Sequence, residues 1–214
     1  IGFEQTWMDR LMNNTPHIQV FDTSKGIDLI LNNDDHDHAH GHNSNDGHIH
    51  AVEPHVWNST GNALIIAGNT YKALSQLDKT NEVYYRNRYD SLCQRIQHTD
   101  SLIRRQLSVP EAAKAFMIYH PALSYFARDY GLHQISIEEG GKEPSPAHLK
   151  ALIDLCQAED VRVIFVQPEF DKRNAETIAQ QTETKVIPIN PLSYDWEEEM
   201  LNVAKALAPQ AATK

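Results

Sequence analysis

Short apolar runs and amphipathic segments alternate throughout the second half of the sequence, and this alternation constrains the fold more than any other feature. The apolar runs that we predict as strands cover residues 115–119, 134–137, 161–166 and 185–189. The segments with helical spacing that separate and follow them cover residues 122–130, 145–156, 171–181 and 195–207. Strands that alternate with helices form parallel sheets with helices on both faces. We therefore predict an α/β fold whose C-terminal lobe spans residues 108–214.

A long amphipathic helix is predicted before this lobe, over residues 78–107. Its apolar stripe has the steps of four and three residues that one helical face requires, and consists of Tyr85, Tyr89, Leu92, Ile96, Thr99 and Ile103. At about 1.5 Å per residue the helix would span roughly 45 Å, which exceeds the width of one small lobe. We expect this rigid helix to join two α/β lobes. The alternative is an ordinary long helix within a single bundle.

Residues 1–77 are predicted to form an incomplete N-terminal lobe. Four elements are expected there: a helix at 3–12, a strand at 17–21, an extended piece at 28–31 and a helix at 59–77. The opening IGFEQTWMDRL has the features of neither a signal peptide nor a transit peptide, and it resembles the middle of a domain. We therefore expect that a natural N-terminal portion precedes Ile1.

Histidine is concentrated in one internal stretch. Six of the twelve histidines lie in it, interleaved with aspartates: His36, His38, His40, His42, His48 and His50. Residues 32–53 have almost no large apolar side chains, so we predict a disordered loop. Neutral imidazoles bind zinc, copper and nickel, and this pattern therefore predicts weak divalent-metal binding without fixed geometry. The alternatives are a solvated polar loop and an affinity tag, and the internal, mixed sequence disfavours a tag.

The composition excludes several classes of function. Lys and Arg number 19 against 29 Asp and Glu, and the net charge of −10 argues against nucleic-acid binding. No apolar stretch reaches about 18 residues, so we predict no transmembrane segment. Cys93 and Cys156 are too few for a disulfide scaffold or a Cys-based zinc finger, and we expect buried thiols, with one disulfide as the alternative. The acidic runs 138–139 and 197–199 are predicted to be solvated.

Candidate binding residues follow the predicted strands. In open parallel sheets, ligands bind beyond the carboxyl ends of the strands, where this sequence places His120, Gln167 and Asn190. For His120, metal ligation and capping of the next helix are both open. His55 lies in EPHVW, directly after the His-rich stretch, and such a histidine beside an aromatic residue is more often structural than a ligand.

Several stretches, taken together, resemble one family. They are GFEQTWM, the acidic His-rich stretch, EPHVWNS, YHPALSYFARDYGL, GKEPSPAHLKALI, VIFVQPEF and INPLSYDW. In this order they are similar to the metal-specific solute-binding proteins of ABC importers, and to the zinc-uptake branch in particular. The long predicted helix agrees with the resemblance, because that family joins two α/β lobes by a rigid helix and holds the metal between them.

The resemblance implies roles for individual residues. His55, in the PHVW element, and His120, which opens the H-x-x-x-x-Y-F element, would be metal ligands. Manganese-binding relatives carry Glu at the place of His120, so Zn²⁺ is favoured over Mn²⁺. Asn190 stands where the family usually has Asp, and it can offer a carbonyl oxygen but no charge. The family's first histidine ligand would lie upstream of Ile1.

The function implied by the resemblance is zinc capture in a cleft between two lobes, followed by delivery to the membrane permease of an ABC importer. Such a protein works outside the cytoplasmic membrane, either free in the periplasm or lipid-anchored, and catalyses no reaction. One alternative is a zinc-dependent hydrolase, which needs a general base beside a metal-bound water, and no carboxylate lies near His120 in the sequence. A second alternative is a His-rich metal buffer without a defined site.

Overall fold

The computed structural model describes residue 4, residues 7–32 and residues 51–209. In its N-terminal part it has these elements: α1 (Met8–Asn14), β1 (Leu31–Asn32), β2 (Ala51–Val52), α2 (Thr60–Leu77), a 3₁₀ turn (Lys79–Asn81) and α3 (Glu82–Leu107). The predicted helices at 59–77 and 78–107 are confirmed, with the 3₁₀ turn as the start of the second. Among the described residues, no helix is both long enough and apolar enough to cross a membrane.

Three predictions for the N-terminal part need correction. The strand predicted at 17–21 is wrong, because this segment is irregular and its alternating Ile18 and Val20 are exposed. The first helix runs from Met8 to Asn14 rather than over 3–12, and residues 3, 5 and 6 lie outside the described part. The disordered loop predicted at 32–53 is wrong at its ends, because β1 pairs with β2 in antiparallel register.

The helix α3 contacts both parts of the chain. Its 26 residues span roughly 39 Å. It packs against α2 on one side and against the last helix of the chain on the other. Ile96 and Ile103 on the predicted stripe are buried, whereas Tyr85 and Leu92 toward its N-terminal half are not fully covered.

The C-terminal part is a parallel sheet with helices on both faces, as predicted. Its elements are β3 (Ala115–Ile118), α4 (Ser124–Tyr130), β4 (His133–Ser136), α5 (Pro146–Ala158), β5 (Val163–Val166), α6 (Arg173–Thr182), β6 (Lys185–Pro188) and α7 (Trp196–Leu207). The strands lie in the order β4-β3-β5-β6, and each neighbouring pair is parallel. Each strand lies within two residues of its predicted bounds.

Two apolar layers cover the two faces of this sheet. Phe116 and Phe165 point into one layer, which α3, α4 and α7 complete. Met117 and Ile164 point into the other, which α5 and α6 complete. Because successive side chains of a strand point to opposite faces, a strand buried on both sides must be apolar throughout. Each fully buried aromatic or aliphatic side chain contributes about 1.5–3 kcal/mol.

Helix ends agree with the sequence analysis, and the cysteines agree with it in part. Gly131 ends α4 in the left-handed conformation at φ 65°, which glycine adopts without strain. The Ser145 hydroxyl accepts a hydrogen bond from the His148 amide at the start of α5. Cys156 is buried, Cys93 is half-buried, and both are free thiols, so the alternative of a disulfide between them is wrong.

Candidate metal site

His120 stands at the carboxyl end of β3, where the sheet fixes both its backbone and its ring. The Gln167 side chain donates to the His120 carbonyl at 2.7 Å and accepts from the His120 amide at 3.3 Å. Gln167 follows β5, the neighbouring strand, and is itself buried. The ring of Phe170 stacks on the His120 imidazole, with centroids 5.6 Å apart. Two strand ends therefore hold this histidine, and it does not merely cap a helix.

Glu138 lies behind the His120 ring. Its Oε1 is 2.9 Å from Nδ1 of His120, and its side chain is only 8% exposed. The residue lies two positions beyond the end of β4, and its amide donates to the Tyr119 carbonyl. The prediction that residues 138–139 form a solvated face is wrong for Glu138, although Glu139 is exposed. Applying the strand-end rule to β4 would have found this carboxylate.

His55 reaches the same place from outside the sheet. It lies in the segment between β2 and α2, and the buried carboxylate of Glu53 accepts hydrogen bonds from both its amide, at 3.0 Å, and its Nδ1. The Trp57 indole packs edge-on against the His55 ring, with centroids 5.4 Å apart. Each histidine therefore has a carboxylate on Nδ1 and an aromatic ring beside it.

Long-range hydrogen bonds attach this segment to the C-terminal part, three of them at Trp57 and Asn58. The buried Asn58 side chain donates to the Ala122 carbonyl at 2.9 Å. The Trp57 indole donates to the Pro191 carbonyl at 2.9 Å, and the Trp196 indole donates to the Trp57 carbonyl at 2.9 Å. Donors from both sides therefore fix the backbone beside His55 onto the sheet edge that carries His120.

The Nε2 atoms of His55 and His120 face each other at 3.3 Å, with the two rings nearly perpendicular at 76°. A carboxylate only accepts hydrogen bonds, so each ring carries a proton on Nδ1 and can direct an Nε2 lone pair forward. Two such lone pairs at this distance repel each other, and a cation between them removes the repulsion. Two nitrogens at about 2.0–2.1 Å from one tetrahedral zinc would be about 3.3–3.4 Å apart.

The two histidines line an open cavity of about 570 Å³. Its other walls include Pro54, Pro121 and the Gly140–Gly141 turn, and Glu53 and Glu138 also line it. Within the described ranges, no three His, Cys, Asp or Glu side chains gather in a group that could hold one metal ion. What the geometry provides is two imidazole nitrogens that face each other, a carboxylate behind each ring and open space in front.

Asn190 lies just beyond the carboxyl end of β6, but its polar groups are engaged away from the two histidines. Its backbone amide donates to Glu199 at 2.7 Å, and its side-chain Oδ1 accepts from the Leu192 amide at 3.1 Å. Asn190 is exposed and is not among the residues that line the histidine cavity. Its assignment as a ligand stays a prediction.

The acidic run at 197–199 is only partly solvated, because Glu199 holds Asn190 and Glu197 pairs with Arg95 at 2.9 Å. The predicted secondary metal-binding histidines lie outside the described residues; they are His36, His38, His40, His42, His48 and His50.

Comparison with known proteins supplies the family. The family model described as "Zinc-uptake complex component A periplasmic" (ZnuA) matches residues 1–208. The high-affinity zinc uptake system protein ZnuA of Bacillus subtilis (strain 168) is 32% identical over 185 residues. These residues are 86% of this chain and 57% of that relative, so the chain spans little more than half of the relative's length.

Solved structures of ZnuA have the same fold. One crystal structure superposes with a TM-score of 0.82 at 29% identity, covering 97% of this chain and 76% of that one. A zinc-bound ZnuA deletion mutant superposes with a TM-score of 0.82 at 28% identity, covering 98% and 77%. Since the family model matches nearly the whole sequence and the fold agrees, the chain belongs to the ZnuA family of periplasmic zinc-uptake components.

Proposed function

We propose that this chain captures Zn²⁺ between His55 and His120 and delivers it to the membrane permease of an ABC importer. The observation that carries the proposal is the pair of Nε2 atoms at 3.3 Å, each on a ring whose Nδ1 meets a carboxylate. Carboxylate–histidine–metal arrangements of this kind orient the imidazole and raise its basicity. The protein acts outside the cytoplasmic membrane, in keeping with the periplasmic description of its family.

The chemistry of the site favours zinc over manganese. Imidazole nitrogen suits Zn²⁺, whereas Mn²⁺ prefers carboxylate, carbonyl and water oxygens. The carboxylates of Glu53 and Glu138 lie behind the rings rather than beside the Nε2 atoms, so the positions nearest a bound ion are nitrogen. With neutral imidazoles, the two carboxylates give the site a charge that matches a divalent cation.

The remaining coordination positions of a bound zinc ion are also part of the proposal. The Asn190 carbonyl oxygen uses one lone pair for the Leu192 amide and keeps another for a metal or a bridging water. Four-coordinate zinc needs two ligands beyond His55 and His120, and the open cavity leaves room for them.

Residues 1–77 are proposed to be part of a larger N-terminal lobe, with 78–107 as the linking helix and 108–214 as the second lobe. An apolar groove of about 690 Å³ lies between α2 and α3. Leu74, Tyr84 and Leu92 line it and remain exposed. A contiguous apolar surface of this kind is normally covered by another part of the protein, and this supports the proposal that residues 1–77 belong to a larger lobe.

The hydrolase alternative fits the geometry less well. A catalytic zinc needs a general base beside its bound water, and that water would lie on the Nε2 side of the rings. Glu53 and Glu138 are the carboxylates nearest the histidines, and both are engaged at Nδ1. The buffer alternative assigns all binding to the His-rich stretch and leaves the paired histidines without a role.

Calorimetric titration with Zn²⁺, backed by competition with a chelator of known affinity, tests the proposal. We expect one tight binding step in the intact chain, and its loss when His55 and His120 are both replaced by alanine. Tight binding that survives the double replacement would overturn the assignment in favour of the buffer. Zinc-dependent hydrolysis of ester or peptide substrates, abolished by the same replacement, would favour the hydrolase.

A further inference from the structure

Among the described residues, Tyr125 on α4 has the largest side chain that is completely buried. Its hydroxyl accepts a hydrogen bond from the Ile30 amide at 3.2 Å and donates one to the Glu53 carbonyl at 2.8 Å. Ile30 and Glu53 flank the β1–β2 pair, and the Glu53 amide also donates to the Ile30 carbonyl. The phenol therefore joins the two chain segments that lead into and out of this pair.

The surroundings of the ring hold Tyr125 in one place. It packs with Ile27 and Val56 in a small apolar cluster of its own. The Arg128 guanidinium lies over the ring at 5.0 Å and donates to the Asp28 carbonyl at 2.7 Å. Burial raises the pKa of the Tyr125 phenol, so the group remains a hydrogen-bond donor throughout the physiological range. A buried hydroxyl with both partners satisfied fixes the positions of those partners.

One residue links this phenol to the metal site. The Glu53 carbonyl is held by Tyr125, and the Glu53 carboxylate is held by the amide and Nδ1 of His55. Tyr125 is only five positions beyond His120, on the helix that follows it. Through Glu53, Tyr125 therefore connects His55, one proposed ligand, to α4, the helix that follows the other proposed ligand, His120.

We propose that Tyr125 is a positioning residue for the metal site, which acts through Glu53 to set the His55 ring against His120. The inference rests on the proposed zinc-binding function and deepens it. The strand-end rule does not select this residue, and the family resemblance includes it in the H-x-x-x-x-Y-F element without giving it a role. Its contribution would be to the geometry of the site before metal arrives, because preorganised ligands lose less entropy on binding.

Replacement of Tyr125 by phenylalanine is the first test, because it keeps the ring and removes only the hydroxyl. We expect zinc affinity in chelator competition to fall about 10-fold, at the lower end of the effect of residues behind a metal ligand. Tyr130→Phe is the matched control. Tyr130 lies on the same helix and its hydroxyl also has two partners, Asp100 and Thr60, but neither touches the histidines. Its zinc affinity should stay within about two-fold of the parent chain.

A double-mutant cycle separates positioning from general weakening. If Tyr125 acts through the Glu53 side chain, Tyr125→Phe should have little further effect on zinc affinity in a Glu53→Ala background. An equal loss in both backgrounds, or an equal loss in Tyr130→Phe, would overturn the proposal, because either would show that the hydroxyl supports only the fold.

A metal-free measurement keeps this inference separate from the proposed function. Nitrogen-15 NMR of the histidine rings should show the Nδ1-protonated tautomer of His55 in the parent chain and a mixed population in Tyr125→Phe. Faster hydrogen exchange at the Ile30 amide should accompany it. If the parent chain binds no zinc, the proposed function fails, but these spectra still decide the positioning role. A His55 tautomer unchanged by Tyr125→Phe would overturn it.

Discussion

Glu138 accepts a hydrogen bond from Nδ1 of His120 at 2.9 Å, across the ends of two neighbouring parallel strands. The contact follows from the topology, because β3 and β4 run side by side and their carboxyl ends lie at one edge of the sheet. It places a nearly buried negative charge behind the imidazole. A carboxylate in this position orients the ring and makes Nε2 a better ligand.

Glu138→Gln should therefore weaken zinc binding by about 10- to 100-fold with little change in the fold. The amide keeps the shape of the side chain but removes its charge. Chelator competition measures the effect, and Glu139→Gln serves as the control because Glu139 is adjacent and exposed. Equal effects from the two substitutions would mean that overall charge, not the contact with His120, controls affinity.

The strand-end rule recovered much of the site from sequence, and its one omission is instructive. Applied to three strands it selected His120, Gln167 and Asn190, and the structure places Gln167 against the backbone of His120. The carboxyl end of β4 carries Glu138, for which the acidic run predicts a solvated face because another glutamate follows it. A run of like charges can place one member inside and the next outside.

The position of His55 could not be predicted from local pattern. Its segment is irregular, and hydrogen bonds to residues more than 60 positions away hold it in place, such as Asn58 to Ala122. The strand predicted at 17–21 is wrong for a related reason. Alternation of apolar and polar residues cannot show whether a partner strand exists. The helices and sheet, by contrast, follow from periodicity and from turn residues such as Gly131.

Alanine substitution of either paired histidine should lower zinc affinity on the order of 100-fold or more, because each supplies a ligating nitrogen. His133→Ala is the matched control. His133 also has a carboxylate on Nδ1, from Glu159 at 3.2 Å, but both side chains are exposed and no second imidazole among the described residues faces them. A comparable loss on removing His133 would place the tight site elsewhere.

Zinc affinity should fall steeply as the solution is acidified. Histidine rings generally become charged between about pH 5 and pH 8, and a protonated imidazole cannot ligate. Because both rings must be free of the competing proton to bind zinc, we expect affinity to fall more steeply between about pH 7 and pH 5.5 than competition with a single proton would produce. Titrations in matched buffers at constant ionic strength measure this. Binding that is unchanged down to pH 5 would indicate oxygen ligands instead.

Asp100 offers a test of the contact between α2, α3 and α4. Burial alone would raise its pKa, but hydrogen bonds from Arg104, Thr60 and Tyr130 lower it below the ordinary 3.8. A lowered pKa stabilises the fold above the ordinary value, and the benefit is lost as pH falls through the lowered one. Asp100→Asn should therefore reduce the free energy of unfolding at pH 7 by about 2 kcal/mol.

The difference between Asp100→Asn and the parent chain should shrink when unfolding is measured below the ordinary value of 3.8, because the carboxylate of the unfolded chain is protonated there and that of the folded chain follows at its lowered pKa. Urea titrations at both pH values give the two free energies. Asp90→Asn is the control, because Asp90 is an exposed carboxylate on the same helix. A constant difference at both pH values would show that charge is not the source of the effect.

Removal of residues 34–50 should lower the number of zinc ions bound but keep the tightest step, because the paired histidines lie outside this stretch. The structure indicates how to remove it. Asn32 pairs with Ala51, so replacing residues 34–50 by one glycine leaves Asn33-Gly as a two-residue hairpin loop, the sequence that such turns favour.

A second variant, with the six histidines of the stretch changed to glutamine, keeps the length of the stretch and removes only its imidazoles. Calorimetry should give the same reduced stoichiometry for both variants, with the affinity of the tight step within about three-fold of the parent chain. Loss of the tight step in both would make the stretch the primary site, and loss in the shortened chain alone would show that its length supports the β1–β2 pair and, through Glu53, His55.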